Sequence, residues 1–86
     1  MTRTLNELKV ILSKYSEGAF SAETIADDAP VFGTGGIVAS SLDILESLCE
    51  IEEKFNINIP DEDLTEELFA SVSSLASYVE HSAQSE

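Results

Sequence analysis

Ser40 and Ser41 stand side by side where a glycine-rich stretch gives way to a run without Gly or Pro, from Ser41 to Phe55. If that run is helical, its free amides and the positive end of its dipole lie beside both hydroxyls, a place that favours an anion or a phosphate ester. Serine at a helix start is also an ordinary cap, so position alone assigns no modification. The other reactive side chains offer less. His81 is the only histidine, lies near the C-terminus without a second ligand or base spaced to work with it, and reads as a surface residue on a frayed end. Cys49 is the only cysteine, which excludes an intrachain disulfide and a thiolate metal cluster. In mid-helix beside an apolar arc it reads as a partly buried small hydrophobe. Gly33-Thr34-Gly35-Gly36 lacks the lysine and the entering strand of a nucleotide loop and reads as a turn. No catalytic residue and no metal ligand is assigned.

The helix expected over Ser41 to Phe55 is about 20 Å long. At about 100° per residue, Ile44, Leu45, Leu48, Ile51 and Phe55 fall in one broad arc, and Asp43, Glu46, Glu50 and Glu53 fall on the opposite side. Leu42 and Cys49 border the acidic arc, so some apolar surface is expected next to the carboxylates.

The remaining elements supply the frame for that helix. Thr4-Leu5-Asn6-Glu7 has capping-box spacing, and Leu5, Leu8, Ile11, Leu12 and Tyr15 form an apolar stripe on a first helix ending near Glu17. Residues 18–40 contain helix breakers, yet Phe20, Ile25, Val31, Phe32, Ile37 and Val38 are too apolar for a free linker, so a long loop lies on the core. Asn56 can close the acidic helix in a left-handed conformation, and Ile57 and Ile59 lead through a packed connector to Pro60. Asp61 to Phe69 can supply one or two short helical turns, the one short helix of the count, with Leu64 and Leu68 facing inward, and Ser71 caps a last helix in which Val72, Leu75, Ala76 and Val79 share a face. The fold class is all-α: three longer helices, one short helix and a long first loop, in a single domain over 1–86. Its packed part covers about 4–80, with a polar tail over 81–86 in which nothing is expected to pack.

Four basic against 17 acidic side chains give 86 residues a net charge of −13. Repulsion from phosphate layers argues against nucleic acid and anionic membrane as partners and favours basic protein surfaces. Without a basic head before an apolar run, or a span of membrane length, the chain is expected to be cytoplasmic, and a monomer between encounters.

Gly36-Ile37-Val38-Ala39-Ser40-Ser41-Leu42-Asp43-Ile44-Leu45-Glu46, followed by Glu52-Glu53-Lys54-Phe55-Asn56-Ile57-Asn58-Ile59-Pro60-Asp61-Glu62-Asp63, resembles an acyl carrier protein of fatty acid, polyketide or nonribosomal peptide biosynthesis. The resemblance covers about residues 5–80. Its elements are Ser40-Ser41-Leu42 in the place of the family's Asp-Ser-Leu motif, the acidic second helix and the Ile59-Pro60 exit, and it implies a four-helix acyl-carrier-like bundle. It also implies a 4'-phosphopantetheine cofactor, covalently attached at Ser41, whose thiol carries acyl or aminoacyl groups as thioesters while the protein itself makes no bonds. Ser40 occupies the position of the family's aspartate, which bears on recognition by the modifying enzyme.

By the same resemblance the second helix is the docking surface, with Leu42, Asp43, Glu46, Cys49, Glu50 and Glu53 meeting partners, and Ile44, Leu48 and Ile51 are candidates for a cargo cleft although they serve equally as core. The implied partners are a phosphopantetheinyl transferase, an acyl- or aminoacyl-loading enzyme, and ketosynthase, condensation or other tailoring enzymes. The alternative is a carrier-like interaction or regulatory module that is never modified. An autonomous serine hydrolase is disfavoured because Ser41 has no base partner in the sequence.

Overall fold

The computed structural model describes residues 2–33 and 35–84. Three α-helices carry the architecture, α1 (Thr2–Lys14), α2 (Ser41–Phe55) and α3 (Val72–Gln84), with 3-10 turns at Ala22–Thr24 and Asp61–Asp63. The helix α1 packs against both α2 and α3. Its stripe residues Leu8, Ile11 and Leu12 are buried against Leu48 and Ile51 of α2 and Val72, Leu75, Ala76 and Val79 of α3, in one apolar core. Burial of such side chains contributes about 1.5–3 kcal/mol each, which drives three amphipathic helices into a bundle.

The long first loop lies on this core as its apolar content requires. Ile25, Val31, Ile37 and Val38 are buried, and the loop's backbone is tied to the segment before α3 by Val31 N–H to the Phe69 carbonyl at 3.0 Å and Val72 N–H to the Ala29 carbonyl at 3.0 Å. Asn56 closes α2 with φ 55° and ψ 50°, a left-handed cap whose N–H returns to the Glu52 carbonyl. Ile59 is buried, and its N–H donates to Glu52 Oε2 at 2.7 Å, which fixes the connector. Ser71 caps α3 by accepting the Ser74 N–H at 3.0 Å.

Four expectations are corrected. The short helix counted over Asp61 to Phe69 is a single 3-10 turn at Asp61–Asp63 followed by hydrogen-bonded turns, which leaves three main helices where four were counted. Here Thr65 Oγ1 takes the Leu68 N–H at 3.3 Å, a local side-chain bond that competes with helix formation, and Leu68 is the buried residue that holds the stretch inward. Thr4 is no cap: α1 begins at Thr2, and the buried Thr4 donates its hydroxyl to Glu80 Oε2 at 2.8 Å, which draws the Glu80 carboxyl below its ordinary range. The helix α1 ends at Lys14 rather than near Glu17: the Tyr15 and Ser16 amides turn to the Leu12 and Ser13 carbonyls three residues back, and Glu17 at φ 57° and Gly18 at φ 84° then leave the helical path altogether. Finally, the polar C-terminal stretch is not a loose tail from its start, since α3 continues through His81 to Gln84. The last two residues, like Thr34, lie outside the described residues.

Candidate functional site

The approach to Ser41 is shaped by the glycine-rich turn. Gly36 N–H donates to the Gly33 carbonyl at 2.9 Å, Ile37 N–H to the Pro30 carbonyl at 3.0 Å and Val38 N–H to the Val31 carbonyl at 2.9 Å. Phe32 and Val38 thereby pair as an isolated parallel bridge. A Cβ at Gly36 would sit 2.8 Å from backbone atoms of Phe32, so only glycine permits this closure. Two residues beyond Val38, Ser40 holds extended backbone at φ −98° and ψ 136° as the N-cap of α2, and its carbonyl accepts the Ile44 N–H at 3.0 Å. The Ser40 hydroxyl makes no cap hydrogen bond. Ser41 is the first residue of α2 and is exposed. Its oxygen therefore stands in solvent beside amides that have no intrahelical partner.

Along α2, Ile44, Leu48 and Ile51 face inward and are packed in the core, together with Ser47, which is fully buried and satisfies its hydroxyl on the Ile44 carbonyl at 2.7 Å. Leu45, expected in the core arc, is 51% exposed. It follows Ile44 by about 100° of helix and so turns away from α1 and α3 onto the side of Leu42. Leu42 is 66% exposed and Cys49 is exposed rather than partly buried, so the three form an apolar stripe at spacings of three and four along the outer face. Glu46 and Glu53 are exposed beside it and Asp43 is half-buried. Sequence reasoning missed Leu45; the signal lay in its position at the shoulder of the apolar arc.

The acids of α2 are not equivalent. Glu50 is half-buried and turned toward α1, where it accepts the Tyr15 hydroxyl at 2.9 Å and pairs with the Lys14 ammonium. The lysine, then the tyrosine, hold the Glu50 carboxyl below its ordinary range, and the carboxylate in turn pushes the Tyr15 hydroxyl up. Lys54 of α2 pairs with Glu7 of α1 at 3.6 Å.

Two clefts flank the segment after the second 3-10 turn. One, of about 650 Å³, runs between the first loop and residues 64–70 and is walled by Phe32, Leu64 and Phe69. The rings of Phe32 and Phe69 meet edge to face, with centroids 6.2 Å apart. The other lies toward α3 around Tyr78, whose hydroxyl donates to Asp63 at 2.6 Å. Among the described residues no group of three or more His, Cys, Asp or Glu could hold a metal ion, and no helix is long and apolar enough to cross a membrane.

Residues 18–79 match the family model described as a phosphopantetheine attachment site. The chain belongs to the phosphopantetheine-binding carrier protein family. It is 33% identical over 75 residues to an aminoacyl carrier protein of Agrobacterium fabrum (strain C58), a match that covers 87% of this chain and 83% of the relative. It also superposes with a TM-score of 0.71 and 31% identity on a chain in the crystal structure of an engineered Bradyrhizobium japonicum glycine:[carrier protein] ligase complexed with a carrier protein from Agrobacterium tumefaciens and ATP. That alignment covers 90% of this chain and 97% of the other. As a carrier protein, this chain presents thioester-linked intermediates to partner biosynthetic enzymes and is not itself a catalyst. Phosphopantetheine is its cofactor, and an accessible hydroxyl at a helix start provides the chemistry that such a group requires.

Proposed function

We propose that Ser41 bears the 4'-phosphopantetheine arm, and that the cargo is an aminoacyl group loaded by an ATP-dependent ligase. The observation that carries the site is the exposed Ser41 as first residue of α2, next to a Ser40 hydroxyl that leaves the helix start uncapped. The arm, when bound, supplies the thiol that holds cargo as a thioester. The residues of the chain orient the attachment point, favour the phosphate charge at the helix start and present a surface for enzymes. The cargo reading is supported by the carrier relative and by the ligase found with the structural neighbour.

Docking is assigned to the outer face of α2, where Leu42, Leu45 and Cys49 supply apolar contact and Asp43, Glu46 and Glu53 steer basic partner surfaces. Glu50, turned toward α1 with its charge offset by Lys14 and its oxygen held by Tyr15, borders that face and adds little steering charge to it. The partners are a phosphopantetheinyl transferase, a loading ligase and downstream condensation or tailoring enzymes, each met by a monomeric carrier through brief contacts.

Intact mass tests this reading. Incubation with a phosphopantetheinyl transferase and coenzyme A is expected to add the arm, with the adduct mapped to Ser41, retained in Ser40→Ala and lost in Ser41→Ala. Unchanged mass with transferases of broad tolerance would favour an unmodified interaction module, the second reading that Ser40 at the family's aspartate position keeps in view.

A further inference from the structure

We propose that the cleft between the first loop and residues 64–70 receives the end of the arm, and that Glu66 at its rim pairs with the free ammonium of an aminoacyl cargo. The proposal rests on the carrier reading above and adds how the cargo is recognised. The cleft is walled by Pro30, Phe32, Leu64 and Phe69, with Thr65 and Glu66 at its polar side, and Glu66 is the one charged residue among its described lining. At about 650 Å³ it lies within the common range for small-molecule sites, and its composition, apolar walls with few polar groups, is the usual one. It also lies near the attachment point. Phe32 pairs with Val38, and the three residues from Val38 to Ser41 span at most about 11 Å of chain.

The chemistry selects among cargoes. A group tethered through its carboxyl and retaining a free amine carries a positive charge, which the Glu66 carboxylate can meet while the aromatic walls cover the neutral amide stretch of the arm. A simple aliphatic acyl group would use the walls and leave the carboxylate to water. The core side of α2 differs: Ile44, Leu48 and Ile51 are no more than 5% exposed, so a chain entering there must displace core side chains.

The test uses the full-length protein loaded by a phosphopantetheinyl transferase with synthetic coenzyme A analogues that end in a stable alanyl amide or propionyl amide. The readouts are the pKa of the cargo ammonium and the NMR shifts of Phe32, Leu64 and Phe69. Glu66→Gln is expected to lower the ammonium pKa by about 0.2–0.7 units, the size of an exposed ion pair. Glu67→Gln makes the same change of charge one residue away but lines the separate cleft around Tyr78, and is expected to leave that pKa unchanged. The alanyl form should also shift Leu64 and Phe69 more than the propionyl form does. Equal ammonium pKa values in wild type and Glu66→Gln, or identical shifts from the two cargoes, would overturn the proposal while the carrier reading stands. A chain that gains no mass would remove both.

Discussion

Tyr15 donates its hydroxyl to Glu50 at 2.9 Å and so joins the end of α1 to the middle of α2. The contact binds an acid of the charged helix into the body of the protein, with Lys14 on the same carboxylate. Glu46 and Glu53, which flank the exposed apolar stripe, have no such tie among the contacts described and present their charge outward. The acidic helix thus divides into an outward charged face and a structural edge.

The structural edge has a pH signature. Lys14 and Tyr15 hold the Glu50 carboxyl below its ordinary value of 4.5. A lowered folded-state pKa contributes stability above the unfolded value and loses it as pH falls through the folded one. The difference in melting temperature between wild type and Glu50→Gln should therefore be largest above about pH 5 and narrow steadily below it. Thermal melts of both proteins from pH 7 to pH 3 check this, and a difference that stays constant across the range counts against it.

Leu45 and Leu48, three residues apart, should separate docking from folding. Leu48→Ala empties a packed core position and should cost about 2–5 kcal/mol. Leu45→Ala at an exposed position should change stability by no more than about 0.5 kcal/mol, yet weaken association of the holo-protein with its loading enzyme. Denaturant melts and a binding titration on the same samples measure both. Full affinity in Leu45→Ala would remove Leu45 from the docking stripe.

Gly36→Ala should destabilise the chain by about 1–3 kcal/mol, because the added methyl meets the Phe32 backbone at 2.8 Å, where nothing can give way without moving the loop. Gly33→Ala is a useful companion: its φ of 103° is strained for alanine although the space around it is open. A melting temperature for Gly36→Ala equal to wild type would mean that the turn opens at little cost.

With a net charge of −13, self-repulsion opposes the folded state, and added sodium chloride should raise the melting temperature by screening it. A melting temperature that is flat or falls as salt rises would show that the cross-helix pairs of Lys14 and Lys54 lose more to screening than the excess acids gain.

What the sequence makes legible follows from how local each signal is. The helix α2, its left-handed stop at Asn56 and the Ser71 cap depend on neighbours within a turn, and the structure shows each of them. The buried loop is legible because apolar residues among helix breakers have few places to go. Thr4 is misread because capping-box spacing is satisfied by Thr-x-x-Glu alone, whereas its observed partner, Glu80, lies 76 residues away. Leu45 is misread because hydrophobicity marks a face only when the packing neighbours are known, and α1 and α3 cover a narrower arc than the apolar residues occupy. The cleft of Phe32, Leu64 and Phe69 joins two distant loops through tertiary packing and leaves no periodic trace.

The bare hydroxyl of Ser40 has one more consequence. At this position it brings no negative charge of its own, so Asp43 is the acid that meets the pole from the first turn of α2, and an anion joined to Ser41 adds a second charge there. Fitting the arm should then toughen the protein instead of adding to its burden, and the armed form should melt above the bare one. Equal melting points would show that solvent already neutralises that pole.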